Sequence, residues 1–187
     1  VNDLARVHGK GLAELAFPDS VHGVVTARLD RLEPKLAAIV KAAAVVGQVF
    51  TLDALAVAAG DAFSAEVLRA GLGELREQDF LVEGDEQRFG FEHAIIRDVA
   101  YGQLAFEQRR ATHGAIADWL EAKLDADPES TYPSLAHHFR FAGREEEELT
   151  YAERSGEVAL KRGANREAVA FYAVSYTHLR AHETAQY

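Results

Sequence analysis

The sequence contains eight histidines and no cysteine, so histidine is the side chain to consider first as a metal ligand. His137 and His138 are neighbours, and on a helix their side chains point about 100° apart, so they cannot chelate one metal as an i, i+4 pair does. We predict one exposed ring, one packed ring and no metal site. His22 and His113 each stand alone in helical sequence, which predicts positions at or near the surface.

No stretch of the sequence has the pattern of a catalytic centre. Gly9-Lys10-Gly11 lacks the spacing of a phosphate-binding loop, and no nucleophile stands beside a base. We therefore expect no catalytic residue in this chain. The four acids Glu145–Glu148 stand at a predicted helix start, where solvated carboxylates complement the helix dipole. Four aromatic residues are predicted to belong to the core rather than to a ligand site: Phe139, Phe141, Phe171 and Tyr172.

The composition argues against several classes of partner. The formal net charge is −10, with 48% hydrophobic and 27% charged residues, which is ordinary for a globular protein. The excess of acid argues against broad contact with nucleic acid or an anionic membrane, since these need surfaces rich in lysine and arginine. The absence of cysteine fits a reducing cytoplasm, and apolar runs such as Ala42–Val46 are too short to span a membrane. We expect a cytoplasmic chain without direct nucleic acid or membrane partners.

Caps and hydrophobic periodicity predict four helices before residue 80. Ser20 is a good N-cap for the first helix, and Pro34 suits the first turn of the second. Thr51 and Ser64 cap the third and fourth, of which the fourth runs to Gln78.

The hydrophobic period then changes to that of strands. Phe80–Val82 and Arg88–Phe91 are β-prone runs on either side of the turn-rich segment Glu83–Glu86, so they predict a small hairpin. Three helices closed by such a hairpin, over residues 35–93, give the element order of a winged-helix module.

Helical sequence resumes after the hairpin. We predict one helix over Ala94–Phe106 and a longer one to about Leu124, followed by a hydrophilic break at Asp125–Thr131. Further helices are predicted at Pro133–Ala142, at Glu145–Arg162 and from Asn165 onward. The predicted fold class is mainly α: a winged-helix module with a small β-hairpin, followed by an α-helical hairpin array of tetratricopeptide type.

Both ends of the chain are unusual. It begins with Val1 and contains no methionine, so we expect an internal piece of a longer protein. Val174–Thr184 matches one translated frame of a transposon-type adapter used in sequencing libraries. We therefore expect residues 174–187 to be a non-native tail, and we assign His178 and His182 no functional role.

Three segments carry a resemblance to a known family. Phe89–Tyr101 resembles the end of the winged-helix domain in STAND proteins, the AAA-like signal-transduction ATPases to which the NOD-like receptors belong. In those receptors a Met-His-Asp motif occupies the place of Glu92-His93-Ala94, so only the histidine matches. Pro18–Leu32 looks like the lead-in to the same domain in bacterial members, and Ser134–Gly143 looks like the helix leading into their repeat region. Together the likeness covers about residues 18–173.

The resemblance implies a regulatory role in signal transduction. It divides the chain into helices leading in from an ATPase domain (1–33), a winged-helix domain with the following long helices (34–125) and the start of a tetratricopeptide-like region (132–173). His93 would donate a ring N–H to the phosphate of ADP held by the ATPase domain, which stabilises the closed, resting state. The parent protein, and not this chain, would bind ADP and ATP. That protein would also carry a nucleotide cyclase or a transcription activator. The implied partners are the ATPase domain of the same chain and proteins bound by the repeats.

Three other interpretations stay open. His93 could instead hydrogen-bond only within the junction of hairpin and helix. The module could bind DNA through its third helix, although Ser64–Gln78 carries three glutamates against two arginines, and a phosphate-facing surface should not be acidic. The chain could also be a helical protein-interaction scaffold with no nucleotide link.

Overall fold

The computed structural model describes residues 19–85, 88–124 and 128–173. This part of the chain is mainly α-helical with one small sheet, which confirms the predicted mainly α class. The elements are α1 (Asp19–Leu29), α2 (Pro34–Val46), β1 (Val49–Thr51), α3 (Leu52–Ala59), a 3₁₀ turn (Gly60–Ala62), α4 (Ala65–Glu77), β2 (Leu81–Glu83), β3 (Arg88–Phe91), α5 (Ala94–Gly102), α6 (Phe106–Glu121), α7 (Pro128–Ala142), α8 (Glu145–Lys161) and α9 (165–173). The predicted tail at 174–187, the predicted lead-in before residue 19 and residues 125–127 of the predicted break lie outside the described residues.

Local capping sets the starts of α2, α3 and α4. The Thr51 and Ser64 hydroxyls each accept a hydrogen bond from the N–H three residues further on, at 3.3 and 3.4 Å. Pro34 occupies the first turn of α2, where its missing N–H has no helical partner to lose. These three predicted starts are confirmed. Ser20 is not the N-cap of α1, because Asp19 before it is already helical.

The sheet contains three strands in the order β1-β3-β2, and both pairs are antiparallel. Strands β2 and β3 form the predicted hairpin. The sequence does not predict β1, which pairs with β3 in the register Val49↔Gly90. Phe50 of β1 is buried, with its ring 6.1 Å from the Phe89 ring and 6.0 Å from the Phe91 ring. Aromatic packing therefore reinforces this short pairing.

The main core lies where α1, α2, α3, α4 and α5 meet the sheet. Its largest members are Leu29, Leu36, Ile39, Val40, Phe50, Leu55, Leu68, Leu72, Leu75, Phe80, Leu81, Phe91 and Ile96. Helices α2 and α4 approach closely at Gly71, where a Cβ atom would lie 2.5 Å from Cδ1 of Ile39. The small residue therefore allows the two helices to pack.

A second core joins α6, α7 and α8. It contains Ala117, Leu135, Ala136, Phe139, Tyr151 and Ala152. Helix α6 also packs against α2 and α3, so it connects the two cores. Within the described ranges, no helix combines the length and the apolar character that crossing a membrane requires.

Two predicted helix boundaries after the hairpin are wrong. Helix α5 ends at Gly102, and Phe106 begins α6 instead of ending α5. Helix α7 begins at Pro128, so Pro133, the predicted start, lies inside it. Pro128 provides the proline that a first turn favours, and the exposed first turn of α7 is as hydrophilic as a loop. The predicted start of the repeat region at residue 132 therefore falls within α7.

Candidate functional site

The predicted site residue, His93, lies immediately before helix α5. This residue joins β3 to α5 in an extended conformation (φ −137°, ψ 139°), and its carbonyl accepts a hydrogen bond from the Ile96 N–H at 3.0 Å. Its ring is exposed and makes no hydrogen bond or ion pair within the described part of the chain. The ring is therefore available to a group outside these residues, at the positive end of a helix dipole.

The opposite end of α5 is hydrogen-bonded to a buried pair of histidines. The hydroxyl of Tyr101, in the last turn of α5, lies 3.0 Å from Nε2 of His113 on α6. Nδ1 of His113 lies 2.8 Å from Nδ1 of His138 on α7. We call Tyr101, His113 and His138 the histidine relay. Because each member stands on a different helix, the relay connects α5, α6 and α7.

Burial keeps both histidines of the relay neutral at neutral pH. Loss of hydration lowers the pKa of His113 to about 4 and the pKa of His138 to about 3, because a charged ring is poorly solvated in this position. Repulsion from His137 and from the positive charge of Arg97 acts in the same direction and contributes to both values. One neutral ring donates to the other, and the Tyr101 hydroxyl donates or accepts according to the tautomer.

The prediction that His113 lies at or near the surface is wrong, since only 1% of it is exposed. The residues three and four positions further on are also buried, so His113 belongs to the inner stripe of α6. That spacing was a usable signal in the sequence. The prediction of one exposed and one packed ring in the adjacent pair is confirmed, because His137 is exposed and His138 is packed.

Of the four aromatic residues that the sequence predicts to be core, Phe141 lies against the relay. Phe141, predicted to be core, is 44% exposed and stacks on the ring of His113 with their centroids 5.1 Å apart. It covers the relay at the surface because it lies one turn beyond the exposed His137. Phe139 is fully buried, as predicted, whereas Phe171 and Tyr172 are only half-buried.

The acidic run at the start of α8 is only partly solvated. Glu145 and Glu146 are exposed, as predicted, but Glu148 is 4% exposed and its Oε1 lies 3.9 Å from Nε of Arg140. The correction has a geometric reason. Glu148 precedes Tyr151 by three residues and therefore shares the inner face of α8.

The structure brings the two ends of α5 into different surroundings, an exposed histidine at one end and a buried relay at the other. No group of three or more potential metal ligands occurs among the residues that the structure describes. In comparisons with known proteins, the chain matches no family model, no curated protein and no solved structure.

Proposed function

We propose that this chain is the regulatory, sensor-linking segment of a multidomain signalling ATPase of the STAND class. The element order α2, β1, α3, α4, β2, β3, with β1 at the edge of the hairpin, supports a winged-helix module. In this proposal the module contacts the ATPase domain of the same cytoplasmic protein.

Three features of α7, α8 and α9 support a tetratricopeptide-like array. Gly143 and Gly163 end α7 and α8 with positive φ angles of 71° and 75°, so each helix turns back after a short connection. Helices α8 and α9 approach at Gly156, where a Cβ atom would lie 2.7 Å from Cζ of Tyr172. Such helix pairs stack into arrays that bind other proteins.

The observation that carries the proposal is the position of α5 between an exposed donor and the relay. His93 and Tyr101 are separated by about 12 Å along one helix, at about 1.5 Å per residue. A rigid helix of this length transmits a displacement at one end to the other. Movement of α5 at His93 would therefore reach α6 and α7 through the hydroxyl of Tyr101.

In this mechanism a contact of His93 with ADP stabilises the resting state, and we call this contact the latch. Its exposed ring donates to a phosphate of ADP in the resting state, assisted by the positive end of the α5 dipole. Because the contact exists only in the closed state, it raises the population of that state, and its loss shifts the population toward the active one. A displacement of α5 then reaches the helical array through the hydrogen bonds of the relay.

The test is ADP affinity in the parent protein, measured by calorimetry for the wild type and for His93→Ala. A hydrogen bond to a charged group is worth roughly 1.5–3 kcal/mol, so the affinity should fall about 10- to 100-fold. His22→Ala, which changes an exposed histidine on α1, is the matched control and should leave ADP affinity unchanged. Equal ADP affinity in His93→Ala and the wild type would contradict the proposed role of His93 and favour the helical-scaffold interpretation.

The isolated chain gives an independent check. It should bind neither ADP nor ATP, because the phosphate loop and base pocket belong to the neighbouring domain in this proposal. Tight nucleotide binding by these residues alone would refute the division of roles. DNA binding is not favoured by the charges on α4, since its Arg76 pairs with Glu83, which leaves Arg69 as the other arginine of the helix to meet phosphates.

A further inference from the structure

A cleft of about 460 Å³ lies between α2, α3 and the first half of α6. Its size falls in the range of small-molecule sites, which are mostly apolar with a few polar groups. Small and aromatic side chains form its apolar surface, among them Ala38, Ala42, Ala58 and Phe63. The alanine side chains are too short to reach across the cleft.

Of the described residues that line this cleft, Lys41 is the one with a positive charge. Lys41 on α2 is half-buried, and its ammonium group has no hydrogen bond or ion pair to any residue that the structure describes. Two other lysines differ, since Lys35 pairs with Glu74 and Lys123 with Asp53. Among the residues that the structure describes, no acidic side chain lines the cleft, although the chain as a whole carries a net charge of −10.

Polar groups stand on the α6 wall of the same cleft. Gln108 and Thr112 are four residues apart, so they lie on one face of the helix, one turn from each other. Together with Lys41 they provide an ammonium group, an amide and a hydroxyl around an apolar cavity. These groups suit an anion with two oxygen acceptors, because each can donate a hydrogen bond.

We propose that the cleft is a binding site for a small organic carboxylate with an apolar body. The carboxylate pairs with Lys41 and accepts from Gln108 or Thr112, while the apolar body packs on the alanines and Phe63. A ligand so placed connects α2 to α6 and therefore stabilises the packing of α6 against the main core. This inference does not depend on the proposed nucleotide latch.

The experiment uses phenylacetate as the probe, with the uncharged phenylacetamide as its isostere, and follows the backbone amide signals of the 187-residue chain by NMR. Phenylacetate should bind saturably, with a Kd of about 1 mM for a ligand of about ten non-hydrogen atoms. Shifts should concentrate at residues of α2, α3 and α6 around the cleft. Phenylacetamide should bind at least about tenfold more weakly, because it lacks the charge that Lys41 pairs.

Three variants separate the site from general effects. Lys41→Gln should weaken phenylacetate binding about tenfold or more, whereas Lys41→Arg should keep it. Lys35→Gln, on the same helix but paired with Glu74, is the matched control and should bind as the wild type. Circular dichroism confirms that each variant is folded. Equal binding of acid and amide, no saturable binding, or unchanged binding by folded Lys41→Gln would each overturn the proposal.

Discussion

Lowering the pH from 7 to 5 should weaken the fold through the two histidines of the relay. His113 and His138 are neutral in the folded chain because burial lowers the pKa of His113 to about 4 and that of His138 to about 3. In the unfolded chain both rings take up a proton near the ordinary histidine pKa of 6.5. Below pH 6.5 the unfolded state therefore binds more protons than the folded state, and the free energy of unfolding falls as the pH falls.

The size of the effect follows from the two pKa differences. At pH 5 the medium is about 1.5 units below the unfolded pKa and still above both folded values, so each histidine costs about 2 kcal/mol. The pair should then remove about 4 kcal/mol from the free energy of unfolding between pH 7 and pH 5. The lowered pKa values of Glu66 and Glu147 start from 4.5, so these carboxylates contribute mainly below this window.

Urea denaturation at pH 7 and pH 5 measures the loss directly. His138→Gln replaces the titrating ring by an amide that can still donate to or accept from His113, so the loss should become smaller by about 2 kcal/mol. His22→Gln, at an exposed site on α1, is the matched control and should keep the full loss. If His138→Gln retains the wild-type pH dependence, His113 and His138 are not a neutral buried pair.

Two further predictions concern packing and capping. Gly156→Ala should destabilise the chain, because its Cβ would meet the Tyr172 ring; Gly73→Ala, with nothing within 4 Å of the new Cβ, should instead stabilise it by roughly 0.5–1 kcal/mol in thermal melts. An equal gain of stability in both variants would contradict the close approach of α8 and α9. Thr51→Ala removes the cap of α3 and should cost about 1 kcal/mol in urea denaturation, whereas an unchanged midpoint would mean that the cap contributes nothing.

Local signals predicted most of the fold in the first half of the chain. The caps at Thr51 and Ser64 and the proline at the start of α2 act on the residues immediately next to them, so single-sequence reasoning could find them. Strand β1 was missed for the opposite reason. Its three residues pair with β3 about forty positions later, and a run of that length carries no period of its own.

The candidate site divides in the same way. The position of His93 between hairpin and helix was predicted, because both elements are local and adjacent in sequence. The relay was not predicted, since it requires α5, α6 and α7 to meet. The sequence around a helical histidine indicates only whether that side of the helix is apolar, and not which helices pack against it. His113 did share a stripe with buried neighbours, but its hydrogen-bond partners lie 12 and 25 positions away.

The cost of breaking a hydrogen bond in the relay is similar to the free energy of the proposed contact between His93 and a phosphate. Moving α5 far enough to break the hydrogen bond between Tyr101 and His113 would leave a buried polar group unsatisfied, at a cost of about 1–3 kcal/mol. The proposed contact of His93 with a phosphate is worth about as much, roughly 1.5–3 kcal/mol. Neither contact therefore dominates the other, and the position of α5 can depend on whether the phosphate is bound. An apolar joint of the same shape would hold α5 without this directional preference, because apolar packing tolerates small displacements that a hydrogen bond does not.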